Sequence, residues 1–416
     1  MRVDPRTSFF WHAFFLAVTT SFTEVNTVMP ALVLAAGGGA ATVGALTAIM
    51  LGLPLVAQLL FAGFLSTRPR KKPFLLLGIN LRVLALAGGA AAIAGFGTDT
   101  RIIPAVFAAI TVFALSGAFA GVSYTELIGT LVPTAQRREF FVRRQMTTTA
   151  GLFVSAVVAR FLLGAAAFPD GYVLLFALAS GFLLVASGGF WSLHEPRPRI
   201  SPGSGTAPPP TGLAGTVAAL RQAPTILRED GNLRTLIVVV NLLAVGFTSI
   251  PLVTALAHRR YELSAATVGT FVLVQITGML LASPAWSRVI RRGGYRLVLR
   301  IVLGLVTLVF PLALLVSATA PVLGYAALYL ITGAIVSGQK IAVDGTVVQI
   351  SPDGRRALYA GLFGAANLAT ALLPLITGVL VERLGYPAVF AGAGVAALLA
   401  FLPVRHLDCG DWYRTG

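Results

Sequence analysis

The chain holds few charged side chains, and those that could do chemistry fall inside long apolar runs. Glu24 lies near the middle of the run 9–35, and Arg160 lies just past the middle of the run 146–168. A charge held in hydrocarbon costs a few kcal/mol, so each such residue needs a partner or water. At a rise of about 1.5 Å per residue the two fall within one helical turn in depth, and they are expected to interact. A carboxylate facing a cation in a wet cavity can exchange it for a proton or a solute, which couples two fluxes. A static ion pair joining two helices is the alternative.

Lys340 and Asp344 are four residues apart in the run 321–350 and share a helix face. They form an internal pair, or Lys340 serves as a cation for an anionic or zwitterionic ligand. Glu24, Arg160 and Lys340 together carry one net positive charge, which favours a ligand with a negative group. Glu126 and Asp344 lie about two turns from the pairs Arg137–Arg138 and Arg355–Arg356, and are expected near the depth of Arg82 and Arg300. That arrangement reads as a gate, or as plain helix packing. Asn26, Gln58, Tyr124, Asn241, Gln275, Gln339 and Asn367 either line a polar cavity or form hydrogen bonds between helices. His12 is expected at an interface, Gly117-x-x-x-Gly121 allows close helix approach, and Pro30 and Pro251 are expected to kink their helices.

These residues sit in a chain that water cannot solvate. Of 416 residues, 56% are hydrophobic and 11% charged, and mean hydropathy is +0.86. A soluble domain carries roughly 25% charged residues. A spanning helix needs about 20 apolar residues, and twelve such runs are found: 9–35, 41–66, 73–97, 102–131, 146–168, 171–192, 235–257, 265–287, 296–318, 321–350, 356–381 and 386–404. The first is too long for a cleaved leader and reads as a retained helix. With the N-terminus placed in the cytoplasm, 23 of the 31 Lys and Arg residues lie in cytoplasmic segments and only Arg101, Arg259, Arg260 and Arg383 outside. This positive-inside bias puts both termini in the cytoplasm. It also accounts for the net charge of +16 without any nucleic-acid partner.

One connection, 194–234, is long; it runs from Glu195-Pro-Arg-Pro-Arg through Ser201-Pro-Gly-Ser-Gly to Pro208-Pro-Pro. That composition cannot pack a core, and an amphipathic helix is expected from Leu213 to Leu227. The linker separates an N-terminal six-helix bundle (1–193) from a C-terminal one (235–405), with a tail at 406–416. The halves echo each other. Ala41-Thr-Val-Gly matches Ala266-Thr-Val-Gly, and Ser66, Arg70, Lys71 and Phe74 match Ser287, Arg291, Arg292 and Tyr295. Glu126 and Phe141 match Asp344 and Tyr359, and Ser116-Gly-Ala-Phe-Ala-Gly resembles Thr332-Gly-Ala-Ile-Val-Ser.

With the turn Gly63-Phe-Leu-Ser-Thr-Arg-Pro-Arg-Lys-Lys-Pro after the second run, this plan resembles the major facilitator superfamily over nearly the whole chain. The family signature there reads Gly-x-Leu-x-Asp-Arg-x-Gly-Arg-Lys. Gly63, Leu65, Arg68, Lys71 and Lys72 fit it, whereas Thr67 stands in place of Asp and Arg70 in place of Gly. The Gly-Pro signature of antiporters is missing from 147–167, as is the arginine many drug antiporters carry in the fourth span. The resemblance implies an all-α membrane protein of two pseudo-symmetric bundles, with spans 1 and 5 bordering a central cavity. Gly63, Arg68, Lys71, Lys72, Arg82, Glu126, Arg300 and Asp344 would belong to its gate.

The expected function is secondary active transport of a small organic solute by alternating access, proton-coupled through Glu24 and Arg160, with export preferred. The alternatives are a uniporter or symporter for an anionic metabolite, a lipid translocator, and a non-transporting receptor. No metal-ligand cluster, Walker loop, Gly-x-Ser-x-Gly elbow or dinucleotide turn is present, so neither an enzyme nor a cofactor is expected. The expected partners are a solute, protons and the bilayer, around a monomer. Arginine used in preference to lysine, with abundant alanine and glycine, points to a GC-rich bacterial genome and a cytoplasmic membrane.

Overall fold

The computed structural model describes residues 4–66, 68, 70–133, 136–195, 225–351 and 356–408. Helices dominate these residues, with no strand among them. Only helices satisfy every backbone polar group within the segment itself, as a lipid environment demands. Threonine hydroxyls follow the same rule: Thr20 and Thr47 donate to the carbonyls of Leu16 and Val43 one turn back. Phe161, Leu281 and Leu323 stand about 70% exposed, as side chains solvated by lipid do. Nine helices among the described residues are long and apolar enough to cross a membrane.

The chain packs as two compact units, one of residues 1–24 and 49–218, the other of 25–48 and 219–416. Segment 25–48 thus belongs with the second unit, although the sequence alone assigns it to the N-terminal bundle.

The first unit contains α1 (Pro5–Phe22), α4 (Leu53–Ser66), α5 (Lys72–Phe96), α6 (Ile102–Leu131), α7 (Arg137–Ala165) and α8 (Asp170–Trp191). The Asp4 side chain caps α1 by accepting from the Arg6 amide at 2.9 Å. Helices α1 and α7 run parallel. Arg6 donates to Gln136 at 3.0 Å, Phe10 stacks on Phe140, and the Ser21 hydroxyl donates to the Leu152 carbonyl at 3.1 Å. Phe9 is fully buried between Tyr124, Phe140 and Phe190.

The second unit opens with α2 (Val28–Ala35) and α3 (Ala40–Thr47), followed by α9 (Gly231–Phe247) and α10 (Pro251–Tyr261). Next comes α11 (Ala265–Thr319), whose 55 residues exceed one bilayer. Gly294, at φ 66, bends α11 into two arms. Only glycine takes that backbone without strain. Helix α12 (Val322–Ala326) leads into α13 (Leu328–Ile350), which packs against both arms: Trp286 of one donates to Ser337 at 3.1 Å. The chain ends in α14 (Arg356–Ala366), a 3-10 turn at Leu368–Leu372, α15 (Leu373–Leu384), α16 (Tyr386–Leu399) and α17 (Phe401–Val404).

The first and eleventh expected spans are therefore interrupted, at 23–27 and at 367–372, while the eighth and ninth join in α11. Both prolines expected to kink their helices follow breaks instead. Residues 23–27 precede Pro30, and the turn 248–250 precedes Pro251. Thr67 and most of the linker, including 213–224 of its expected helix, lie outside the described residues.

Candidate functional site

Glu24 stands on the non-helical stretch between α1 and α2 and is half-buried. The parallel register of α1 and α7 carries it to within about one turn of the half-buried Arg160.

Arg82 lies elsewhere than expected. Its guanidinium stacks on the Phe113 ring at 4.1 Å and passes beside Gly117. From Gly117 to Glu126 is about 14 Å along α6, so the depth match of Arg82 with Glu126 does not hold. Glu126 is exposed. The antiparallel register of α5 and α6, seen where Gly78 meets Ser116 and Ala120, sets Arg82 against the middle of α6 rather than its end. His12, expected at an interface, is only 4% exposed and packs on Tyr124 and Phe190. Arg144 extends from α7 over the Tyr124 ring at 5.2 Å. Gln58 is exposed on α4.

The basic turn after α4 meets an acid that the signature comparison does not reveal. The Glu195 carboxylate, just beyond α8, accepts from the Lys71 amide at 2.7 Å and the Lys72 amide at 2.9 Å. It thereby satisfies free donors at the start of α5 and complements the helix dipole. The Lys72 ammonium donates to the carbonyls of Trp191 and Leu193, both at 2.7 Å, and the Lys71 ammonium to that of Leu65. Arg68 lies over the Phe64 ring at 4.7 Å, and Gly63 falls within α4.

In the second unit several expected polar residues do meet. The Asn241 amide donates to the Asn367 side-chain oxygen at 3.1 Å, where α14 gives way to the 3-10 turn. The Thr254 hydroxyl donates to the Asn26 carbonyl at 2.6 Å and lies 2.6 Å from the Tyr329 hydroxyl. Tyr329 in turn stacks on Phe271 at 4.3 Å. Gln275 is 1% exposed and Gln339 half-buried. Lys340 pairs with Asp344 at 3.2 Å, and both side chains are largely exposed, at 78% and 68%. Packing of Val302 on Gly338 and of Tyr295 on Gly345 sets the half-buried Arg300 near the level of Lys340, one turn from Asp344.

Helix α3 packs on α15 at backbone distance, with the Glu382 carboxylate accepting from the Ala41 amide at 2.8 Å. Among the described residues no three His, Cys, Asp or Glu side chains gather as a metal site.

The sequence profile of the Major Facilitator Superfamily matches residues 10–367, and again 235–408. The chain belongs to that superfamily. Solved superfamily-like transporters share its fold. The nucleoside transporter NupG is 13% identical, with a TM-score of 0.73 over 97% of this chain and 100% of its own. A POT family transporter in complex with a thioalcohol-conjugated peptide is 14% identical, with a TM-score of 0.72 over 96% of this chain and 95% of its own. A D-xylose–proton symporter is 15% identical, with a TM-score of 0.66 over 95% and 97%. No curated protein matches the sequence. The chain is thus a multi-pass, all-helical membrane protein of the superfamily.

Proposed function

We propose that this superfamily member is a secondary active transporter that moves a small organic solute by alternating access and draws on protons through Glu24. The observation that carries this reading is the position of Glu24 on unwound backbone between α1 and α2, about one turn in depth from Arg160. Broken helices at membrane depth are tolerated where they line a cavity, and they are where transporters place their coupling sites. Protonating Glu24 removes its charge and with it the pull on nearby cations, so a proton and a solute can alternate there. The NupG, POT and xylose–proton structures support solute transport on this fold. Export from a bacterial cytoplasmic membrane by a monomer is the form expected from the sequence.

The test is proton movement in proteoliposomes holding a pH dye, challenged with nucleosides, dipeptides and pentoses. A solute-driven pH change that disappears in Glu24→Gln supports the coupling. An undiminished signal in that variant overturns it. A second reading, carriage of an anionic metabolite without protons, is favoured by the exposure of Lys340, which leaves its ammonium accessible despite Asp344.

A further inference from the structure

Among the described residues of the first unit, Arg82 stands inside the helix bundle with no acid paired to it. Arg82 reaches from α5 into a cavity of about 240 Å³ whose walls include Gln58 of α4 and Phe113 and Gly117 of α6. One face of its guanidinium is covered by the Phe113 ring. Its Nε is shut off from solvent and, among the described residues, finds no acceptor; no carboxylate there forms an ion pair with it. A guanidinium stays charged at any physiological pH and presents its donors in a rigid fork. Stacking on one aromatic ring offsets only part of the cost of withdrawing such a cation from water.

Buried polar atoms are nearly always satisfied, and the Arg82 Nε is an exception among the described residues. It is a donor on a fixed cation. The missing component is an anion with several acceptor oxygens, for which the guanidinium fork is shaped. Gly117 keeps the approach clear, since a β-carbon there would stand 3.3 Å from the Arg82 Nε.

We propose that Arg82 anchors an anion subsite that takes a carboxylate or phosphate group of a soluble solute in the cavity between α4, α5 and α6. The inference rests on the transport reading above and narrows its solute to one bearing such a group.

The experiment is thermal unfolding of the purified full chain in neutral detergent, with citrate, inorganic phosphate or phosphatidylglycerol added, and sodium chloride at matched ionic strength as the reference. Citrate or phosphate is expected to raise the apparent Tm by several degrees over chloride. The shift is lost in Arg82→Gln, reduced in Arg82→Lys, which keeps the charge but not the fork, and kept in Arg101→Gln on an exposed loop. Should Arg82→Gln fail to fold, phenylglyoxal labelling of the unaltered chain, read by mass spectrometry, replaces it: citrate or phosphate is expected to shield Arg82. A wild-type shift no larger than that of chloride, an equal shift in Arg82→Gln, unshielded Arg82, or a response to phosphatidylglycerol alone would overturn the proposal. A citrate or phosphate shift without solute-driven proton movement leaves the subsite standing and removes the coupling; proton movement without the shift does the reverse.

Discussion

Glu195 carries two charge-assisted hydrogen bonds to the opening amides of α5, each of a kind worth roughly 1.5–3 kcal/mol. Glu195→Ala is therefore expected to lower the apparent Tm by several degrees in a fluorescence melt, with Glu195→Gln intermediate because one acceptor oxygen remains. A melt unchanged in both variants would show that these bonds contribute nothing. Lys340 is the opposite case. Its exposed i,i+4 pair with Asp344 is worth only about 0.3–0.5 kcal/mol, so Lys340→Ala should leave the melt within a degree. Solute uptake or efflux lost at unchanged stability would then favour Lys340 as an anion contact, whereas normal transport would reduce it to surface chemistry. Sequence spacing indicates which charges share a helix face, as with Lys340 and Asp344. It carries no sign of Glu195 as a capping residue, because that bond joins segments 123 and 124 residues apart.

Among the elements, the α3–α15 contact depends on absent side chains. A β-carbon on Gly44 would stand 2.2 Å from the Pro374 carbonyl oxygen, and one on Gly378 2.5 Å from that of Ala40. Gly44→Ala must push these helices apart and is expected to lower the apparent Tm markedly. Gly88→Ala meets nothing within 4 Å and should be neutral or stabilising by up to about 1 kcal/mol through helix propensity. Equal melts for the two variants would contradict the close approach. Pro30 and Pro251 indicate from sequence that spans 1 and 7 are irregular, yet the breaks at 23–27 and 248–250 precede both prolines. Proline removes one amide donor and clashes with the preceding turn; how far the disruption extends is settled by hydrogen bonds from other helices, such as that of Thr254 to Asn26.

For the whole molecule, the charge asymmetry of the connections makes the strongest statement. Reporter fusions provide its test: alkaline phosphatase fused after residue 408 is expected to be inactive, and fused within 97–101 to be active. The reverse pattern would invert the topology and leave the superfamily fold intact. The division of the chain into units is not evident from sequence. Segment 25–48 reads as the outer part of the first two spans, yet it packs with helices that begin more than two hundred residues later.

Sequence by itself determined that this chain lives in lipid and which superfamily it joins, and it set the crossing stretches and the kinship of the halves as expectations. Those properties are local or additive: hydropathy is summed along a run, and charge is counted per loop. Tertiary structure decided which buried groups meet. A position along a helix yields depth but not the direction a side chain faces, and a register shift between α5 and α6 moves Arg82 from Glu126 to Phe113 without changing a residue. The unmatched guanidinium of Arg82 emerges only when the helices close around it, because a missing partner can be recognised only once every neighbour has been placed.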